Sequence, residues 1–252
     1  MVEGEDGGMI GILSLAIAMA TWQPPAGATF QLQLQGKVDT SVKAEVFDFD
    51  LFDNGAKVVD RVHERGGRAV CYLSAGSYEN WRPDRDDFPR RVIGKKLEGW
   101  PGERWLDIRR RDVLRPIMAA RLDLCVKKGF DGADFDNLDA YQQDSGFPLE
   151  RRHQLRYNEM LARLAHERGL AAGLKNVPQL VPELEGHFDF AVNEQCYRYE
   201  ECRPYRRFIR HDKPVFVIEY ESPRKEFCPQ ARRAGFTAMR KRYSLRTWRR
   251  AC

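Results

Sequence analysis

The sequence carries only five histidines in 252 residues, and none of its six cysteines stands in a Cys-x-x-Cys pair. The usual ligand spacing of a zinc site is therefore missing. No Gly-x-Gly-x-x-Gly follows the first expected strand, which argues against a dinucleotide-binding sheet. No internal repeat or low-complexity linker divides the chain, and no nucleic-acid-binding motif accompanies its basic residues. An apolar run of the roughly 20 residues needed to span a membrane is also lacking.

What is present begins with an unusual leader. Met9-Ile10-Gly11-Ile12-Leu13-Ser14-Leu15-Ala16-Ile17-Ala18-Met19-Ala20 is apolar, short and ends in a small-x-small pattern. It predicts a signal peptide or an N-terminal anchor over residues 1–20, hence a secreted or extracytoplasmic protein with no membrane span in its mature form. Glu3, Glu5 and Asp6 put acid where a signal peptide carries Lys or Arg, a conflict that initiation at Met9 would remove. Residues 21–252 then form one domain, large enough to bury a single core and expected to be a monomer. The formal charge is +5, with much of the excess between Arg232 and Arg250. Phe236, Met239, Tyr243, Leu245 and Trp248 interleave with those cations, so the segment reads as the solvated face of a final strand and helix rather than a nucleic-acid surface.

Short apolar strands alternate with amphipathic helical stretches. Strands are expected at Glu45–Asp50, Arg68–Ser74, Trp105–Ile108, Gly132–Asp136, Ala171–Lys175, Phe188–Glu194, Pro214–Tyr220 and Phe236–Arg240. The helical stretches between them stop at Gly66-Gly67, Gly129 and Gly169, as left-handed caps would require. Eight such strands predict an α/β fold, a single (β/α)₈ TIM barrel. Cys71 lies in an expected strand and Cys125 in an expected helix, and both read as buried free thiols. Cys196 and Cys202 flank a short loop that a disulfide would close, and Cys228 and Cys252 would tie down the chain end.

In such barrels the site lies at the C-terminal strand ends. Here those ends are polar almost without exception. They carry Asp48-Phe49-Asp50, Ser74, Asp134-Phe135-Asp136-Asn137, Lys175-Asn176, Asn193-Glu194-Gln195 and Glu219-Tyr220. Each one alone reads as a helix cap or a salt-bridge partner. Burying several such carboxylates without partners costs several kcal/mol each, so a fold keeps them at a cleft. Two carboxylates on two strand ends of one barrel is what glycoside hydrolysis needs.

The motifs Cys71-Tyr72-Leu73-Ser74-Ala75-Gly76-Ser77, Trp81-Arg82-Pro83-Asp84, Trp100-Pro101-Gly102-Glu103-Arg104-Trp105-Leu106-Asp107-Ile108-Arg109 and Gly129-Phe130-Asp131-Gly132 resemble glycoside hydrolase family 114. Asp136-Asn137, Gly173-Leu174-Lys175-Asn176, Asn193-Glu194-Gln195-Cys196 and Glu219-Tyr220 follow in the family's order, from about Trp22 to the C-terminus. The resemblance implies a (β/α)₈ barrel with endo-α-1,4-polygalactosaminidase activity on a galactosamine-rich polysaccharide. It maps the catalytic pair onto Asp136 and Glu194. One departure is Asp134-Phe135, where family members commonly carry Glu-Pro. By analogy with other α-glycosidase barrels, Asp136 is expected to be the nucleophile and Glu194 the acid/base.

Asp48, Asp50, Asp134 and Glu219 are expected to hold amino or hydroxyl groups of the sugars, together with Ser74, Asn137 and Asn193. Tyr72, Trp81, Trp100, Trp105 and Tyr220 offer stacking faces, Trp81 foremost, while Trp105, within a strand, is expected to pack in the core. Lys175 either pairs with a neighbouring carboxylate or binds a hydroxyl. No metal or other cofactor is expected. Two other classes stay open: a carbohydrate-binding protein without turnover, and a metal-dependent barrel enzyme using the Asp cluster.

Overall fold

The computed structural model describes residues 21–252; the expected leader, residues 1–20, lies outside the described residues. Alternation within each strand decides which side chains turn inward. The parallel strands are β1 (Phe30–Leu32), β2 (Val46–Asp50), β3 (Arg68–Ser74), then β7 (Gly132–Asp136), β8 (Ala171–Lys175), β9 (Phe190–Glu194), β10 (Val215–Glu219) and β11 (Thr237–Arg240). They pair in the order β1-β2-β3-β7-β8-β9-β10-β11, and a short antiparallel β12 (Arg250–Ala251) adds to β11. The sheet curls into a TIM-barrel-like α/β fold. Phe30, Leu32, Val46, Val70, Phe190, Val192, Phe216, Ile218 and Met239 fill its interior as one apolar cluster, with the Phe30 and Phe216 rings stacked at 4.2 Å. The alternate residues, among them Phe47, Phe49, Cys71, Leu73, Phe135, Leu174 and Val217, form the second cluster, against the helices.

Those helices are α1 (Ala56–His63), α2 (Arg111–Lys128), α3 (Arg151–His166), α4 (Val181–Leu184), α5 (Arg206–Arg210) and α6 (Arg224–Ala234). α2 ends where Gly129 adopts φ 87° and returns two backbone bonds to the last turn, a conformation glycine reaches without strain. A small antiparallel sheet sits between β3 and α2, made of β4 (Ser77–Glu79), β5 (Ile93–Lys96) and β6 (Glu103–Leu106) in the order β4-β6-β5.

Two expectations about the strands are corrected. The Trp105–Ile108 segment supplies β6 of the small sheet rather than a barrel strand. The remaining barrel strand is β1, only three residues long, with Gln31 at its centre and Gln33 just after it, both bonded through their side chains to chain carbonyls, so its apolar signal is weak. The expected final helix is likewise replaced by an irregular arm, 241–252. β1 and β11 do not pair as a ladder. Thr237 Oγ1 donates to the Ala28 carbonyl at 3.0 Å, the Leu34 amide donates to the Leu245 carbonyl at 3.0 Å, and the Arg249 guanidinium donates to the Phe30 carbonyl. The arm bridges the seam.

All six cysteines are joined: Cys196–Cys202, Cys228–Cys252 and Cys71–Cys125. The last pair corrects the free-thiol reading. Cys71 is on the outward face of β3 and Cys125 is on the inward face of α2, so packing the helix on the sheet brings their Cα atoms to 6.1 Å. Among the described residues no helix is long and apolar enough to cross a membrane. The Cys71–Cys125 link closes the longest of the three loops, 54 residues in sequence separation. The double substitution Cys71→Ala/Cys125→Ala is expected to lower the unfolding free energy by roughly 4 kcal/mol in the chain-entropy model. Urea denaturation measures that loss, and alkylatable thiols at these two positions in the native protein would contradict the link.

Candidate active site

The inward alternation that fills the barrel with hydrocarbon changes character toward the C-terminal strand ends. There β2, β7, β8 and β9 contribute Asp48, Asp134, Asp136, Lys175 and Glu194. Lys175 Nζ, almost wholly buried, lies 3.4 Å from Glu194 Oε2, 3.6 Å from Asp136 Oδ2 and 3.6 Å from Asp134 Oδ2. It also sits 4.7 Å from the centre of the Tyr72 ring. Burial alone would lower its pKa, but the charges of Asp136, Glu194, Asp134 and Asp48 outweigh burial and hold it well above the lysine range. The ammonium is therefore a fixed cation at the centre of the site. Pairing with carboxylates is thus the lysine's role in the free protein.

The two rim carboxylates are each held by a tyrosine and by an amide, a backbone one for Asp136 and a side-chain one for Glu194. The Tyr72 hydroxyl donates to Asp136 Oδ2 at 2.6 Å, and the Asn137 amide donates to Asp136 Oδ1 at 2.9 Å. The Tyr220 hydroxyl donates to Glu194 Oε1, and Asn176 Nδ2 donates to Glu194 Oε2 at 3.1 Å. Burial first, and then the adjoining carboxylates, push both phenols above their ordinary range, so each remains a donor. Asn137, Asn176 and Gln195, the residues immediately after Asp136, Lys175 and Glu194, have φ of 61°, 52° and 70°. That left-handed conformation is uncommon outside glycine, and here it recurs at three neighbouring strand ends. Gly76 supports the first of these turns, since a Cβ on it would fall 1.7 Å from the Asn137 carbonyl oxygen.

Beneath the rim, Asp48 and Asp134 are fully buried, and no hydrogen-bond donor reaches any of their four oxygens. Two ionised carboxylates cannot share such a place with half an ammonium's attention. Burial raises both pKa values; Asp134 is pushed up to about 6, and Asp48 goes well above the carboxylate range under burial and the charge of Asp134.

Period-two geometry also removes several expected ligands. Because Glu194 and Tyr220 face the cleft, their neighbours Asn193 and Glu219 face the helices. Asn193 Nδ2 donates to the Tyr205 hydroxyl at 3.1 Å, and Glu219 accepts from the Tyr197 amide and Ser222 Oγ, both at 2.8 Å. Asp50 is bound by the Arg82 guanidinium at 2.9 and 2.5 Å and accepts from the amides of Phe52 and Asp53. Ser74 is buried behind the site, where Asn137 Nδ2 donates to its Oγ at 2.8 Å. Trp81 lies beside Arg82 and Gly102, outside the cavities that contain Asp136.

One of those cavities, of about 390 Å³, is lined by Tyr72, Asp136, Lys175, Asn176, Glu194, Gln195 and Tyr220, with Trp100 and Tyr243 at its rim. A second, of about 650 Å³, shares Asp136 and Asn176 and continues over Asn137, Asp139, Asp144, Lys95, Lys96 and Glu98. Together they form a cleft across the barrel mouth with Asp136 between its halves. Asp139 and Tyr243 line the cleft although the sequence did not single them out, and Asn176 and Gln195, legible only as polar strand ends without a role, line it too. The signal for the last two was the amide that directly follows each inward charged residue. Among the described residues no three His, Cys, Asp or Glu side chains form a metal-holding group, and the point on which Asp134, Asp136 and Glu194 converge is taken by Lys175 Nζ.

A barrel with this paired-carboxylate cleft is the architecture of a glycoside hydrolase. The chain belongs to glycoside-hydrolase family GH114, whose family model matches residues 13–252. It is 39% identical to Aspergillus fumigatus Ega3, crystallised in complex with galactosamine, over 93% of this chain and 98% of that one, with a TM-score of 0.88. The fold also matches the glycoside hydrolase domain of PelA from Pseudomonas aeruginosa at a TM-score of 0.72 and 17% identity, over 90% and 99% of the two chains. An uncharacterized protein of Deinococcus radiodurans is 29% identical over 69% of this chain, and the match spans 64% of that relative's length.

The buried acid pair gives a stability signature. The folded chain keeps a proton on Asp134 between about pH 4, the ordinary Asp value, and about pH 6, while the unfolded chain has released it. Stability from this group is full below pH 4 and is lost as pH rises through 6. Asp134→Asn, neutral throughout, is expected to flatten that fall in a series of urea midpoints taken from pH 4 to pH 7.

Proposed function

We propose that this chain hydrolyses internal α-1,4 linkages of a galactosamine-containing polysaccharide by a two-carboxylate mechanism. The observation that carries the proposal is the pair Asp136 and Glu194, both on the Lys175 ammonium and both facing one cleft. Asp136 attacks C1 of a bound sugar while Glu194 gives its proton to the departing glycosidic oxygen. Glu194, now a carboxylate, takes a proton from water, whose oxygen attacks C1 and releases Asp136. Each new carboxylate forms beside an ammonium already in place, so no reorganisation accompanies the charge. The two oxygens facing Lys175 Nζ, at 3.6 and 3.4 Å, are at most about 7 Å apart, which leaves out most of the separations found in inverting enzymes. We read the reaction as retaining.

A cleft with two halves about Asp136 accommodates sugar units on both sides of the broken bond, as an endo-acting enzyme requires. Trp100 and Tyr220 offer ring faces to sugars, and the carboxylates of Asp136, Glu194 and Asp139 favour amines, Asp144 being already paired with Lys95 Nζ at 2.7 Å. The 39% identity to Ega3, whose crystal holds galactosamine, supports this substrate class. Three disulfides that consume every cysteine support a working place outside the cytoplasm. Turnover, with both carboxylates in place, is a better reading than a binding protein.

The test is sugar release from purified protein incubated with galactosamine polymer, followed by mass spectrometry. Asp136→Asn and Glu194→Gln are expected to keep the wild-type circular dichroism and each lose at least ~100-fold in rate. Near wild-type turnover in either variant would sink the assignment. Proton NMR of the first product formed should show the α anomer; β product would mean an inverting enzyme.

A further inference from the structure

A third cavity, of about 420 Å³, adjoins the catalytic one, and Tyr220 and Tyr243 line both. Beyond Tyr243 its wall consists of Arg240, Lys241, Arg242, Arg250 and Trp248. No carboxylate lines it, and among the described residues none of these four cations makes an ion pair. Glu221, which accepts from the Tyr243 hydroxyl at 3.2 Å, is also engaged by Arg198 at 3.9 Å. Arg240 Nε is occupied by the Tyr220 carbonyl at 3.1 Å, and Lys241 Nζ by the Arg246 carbonyl at 2.6 Å. Arg240 keeps its Nη donors, and Arg242 and Arg250, exposed on the arm, have guanidinium carbons 4.8 and 5.9 Å from the centre of the Trp248 ring.

The sign of the cleft thus reverses along its length. The two cavities that meet at Asp136 carry Glu98, Asp136, Asp139, Asp144 and Glu194 against Lys95, Lys96 and Lys175, whereas the charged groups of the groove past Tyr243 are all cationic. A polymer of free amines would set an ammonium against four like charges at that end. An N-acetylated unit has no charge there, offers its carbonyl to a guanidinium, and presents a methyl group to an indole edge. We infer that the Arg242–Trp248–Arg250 groove is a substrate subsite selecting N-acetylated sugar, so that the preferred substrate is a partly acetylated galactosamine polymer. The inference rests on the functional reading above and adds to it a position-dependent demand: amine near the catalytic pair, acetamide beyond Tyr243. Continuity through the shared tyrosines is what makes the occupant the same polysaccharide chain rather than a separate ligand.

The experiment compares kcat/KM on a fully de-N-acetylated polymer and on one about half acetylated, for the wild type and for Arg242→Glu/Arg250→Glu. Both side chains are exposed, and a matching melting temperature establishes that the variant folds. The wild type is expected to favour the half-acetylated polymer by about threefold or more, the scale of one or two exposed charge contacts. Mass-spectrometric sequencing of its products should place an acetylated unit at a fixed distance from the new end. The variant should lose the positional bias and invert the ratio. Cleavage by a folded variant with an unchanged ratio overturns the inference alone. A wild type that favours the fully de-N-acetylated polymer also overturns it, as does competitive inhibition by polygalacturonate that only the wild type shows while the acetylation ratio stays the same in both; that last result would assign the groove to an acidic glycan. If the wild type cleaves neither polymer, the functional reading falls and takes the inference with it.

Discussion

One buried ammonium organises this molecule's working end. Lys175 on β8 is the shared counter-charge of Asp134, Asp136 and Glu194, which come from the strands on either side of it. Without it, a buried layer and a rim of acids would face one another across the barrel with nothing to offset their repulsion. With it, one cation offsets part of the deeper acids' charge while burial favours their protonated forms, and the rim acids stand side by side. The cost of keeping a lysine dry is met by the same carboxylates that it holds in place.

Directional bonds complete what charge begins. Ammonium contacts at 3.4 to 3.6 Å attract without aiming. Tyr72 and Tyr220 aim: each hydroxyl fixes one oxygen of one rim carboxylate. Left-handed turns at Asn137, Asn176 and Gln195 then let three strands end together, so that the side chain just before each turn is the last one pointing into the mouth. Strain of this kind persists only where the surroundings over-determine it. Here the supports are visible, in the bare backbone of Gly76 under Asn137 and in the reciprocal bonds between Asn176 and Glu194.

Much of this was legible in the sequence, and the misses have physical causes. The Asp136 and Glu194 strands were readable because a charged residue closing an apolar, alternating stretch has few places to go. Seven of eight barrel strands were found on the same grounds. β1 was not, because three residues with a glutamine at their centre carry little apolar signal. Trp105 misled in the opposite way, being buried in a sheet that is not the barrel. Asn193 and Glu219 failed as ligands because adjacent strand residues cannot both face the cleft. Asp50 failed because Arg82, distant in sequence, claims it first. Cys71–Cys125 required knowing which helix covers which strand, and that is a tertiary fact.

The seam between β1 and β11 has its own consequence. Most strands of the barrel are joined by a ladder that cannot be altered without unravelling the sheet, but this junction is stitched by an arm ending at Cys252. That arm carries Tyr243, Leu245 and Trp248 to the mouth on the way. Its inner side chains have to close the wall; its outer ones do not. Outward residues of the arm can therefore be exchanged in this chain, and the rim of the cleft altered, while the hydrogen-bonded frame and the charged centre stay untouched.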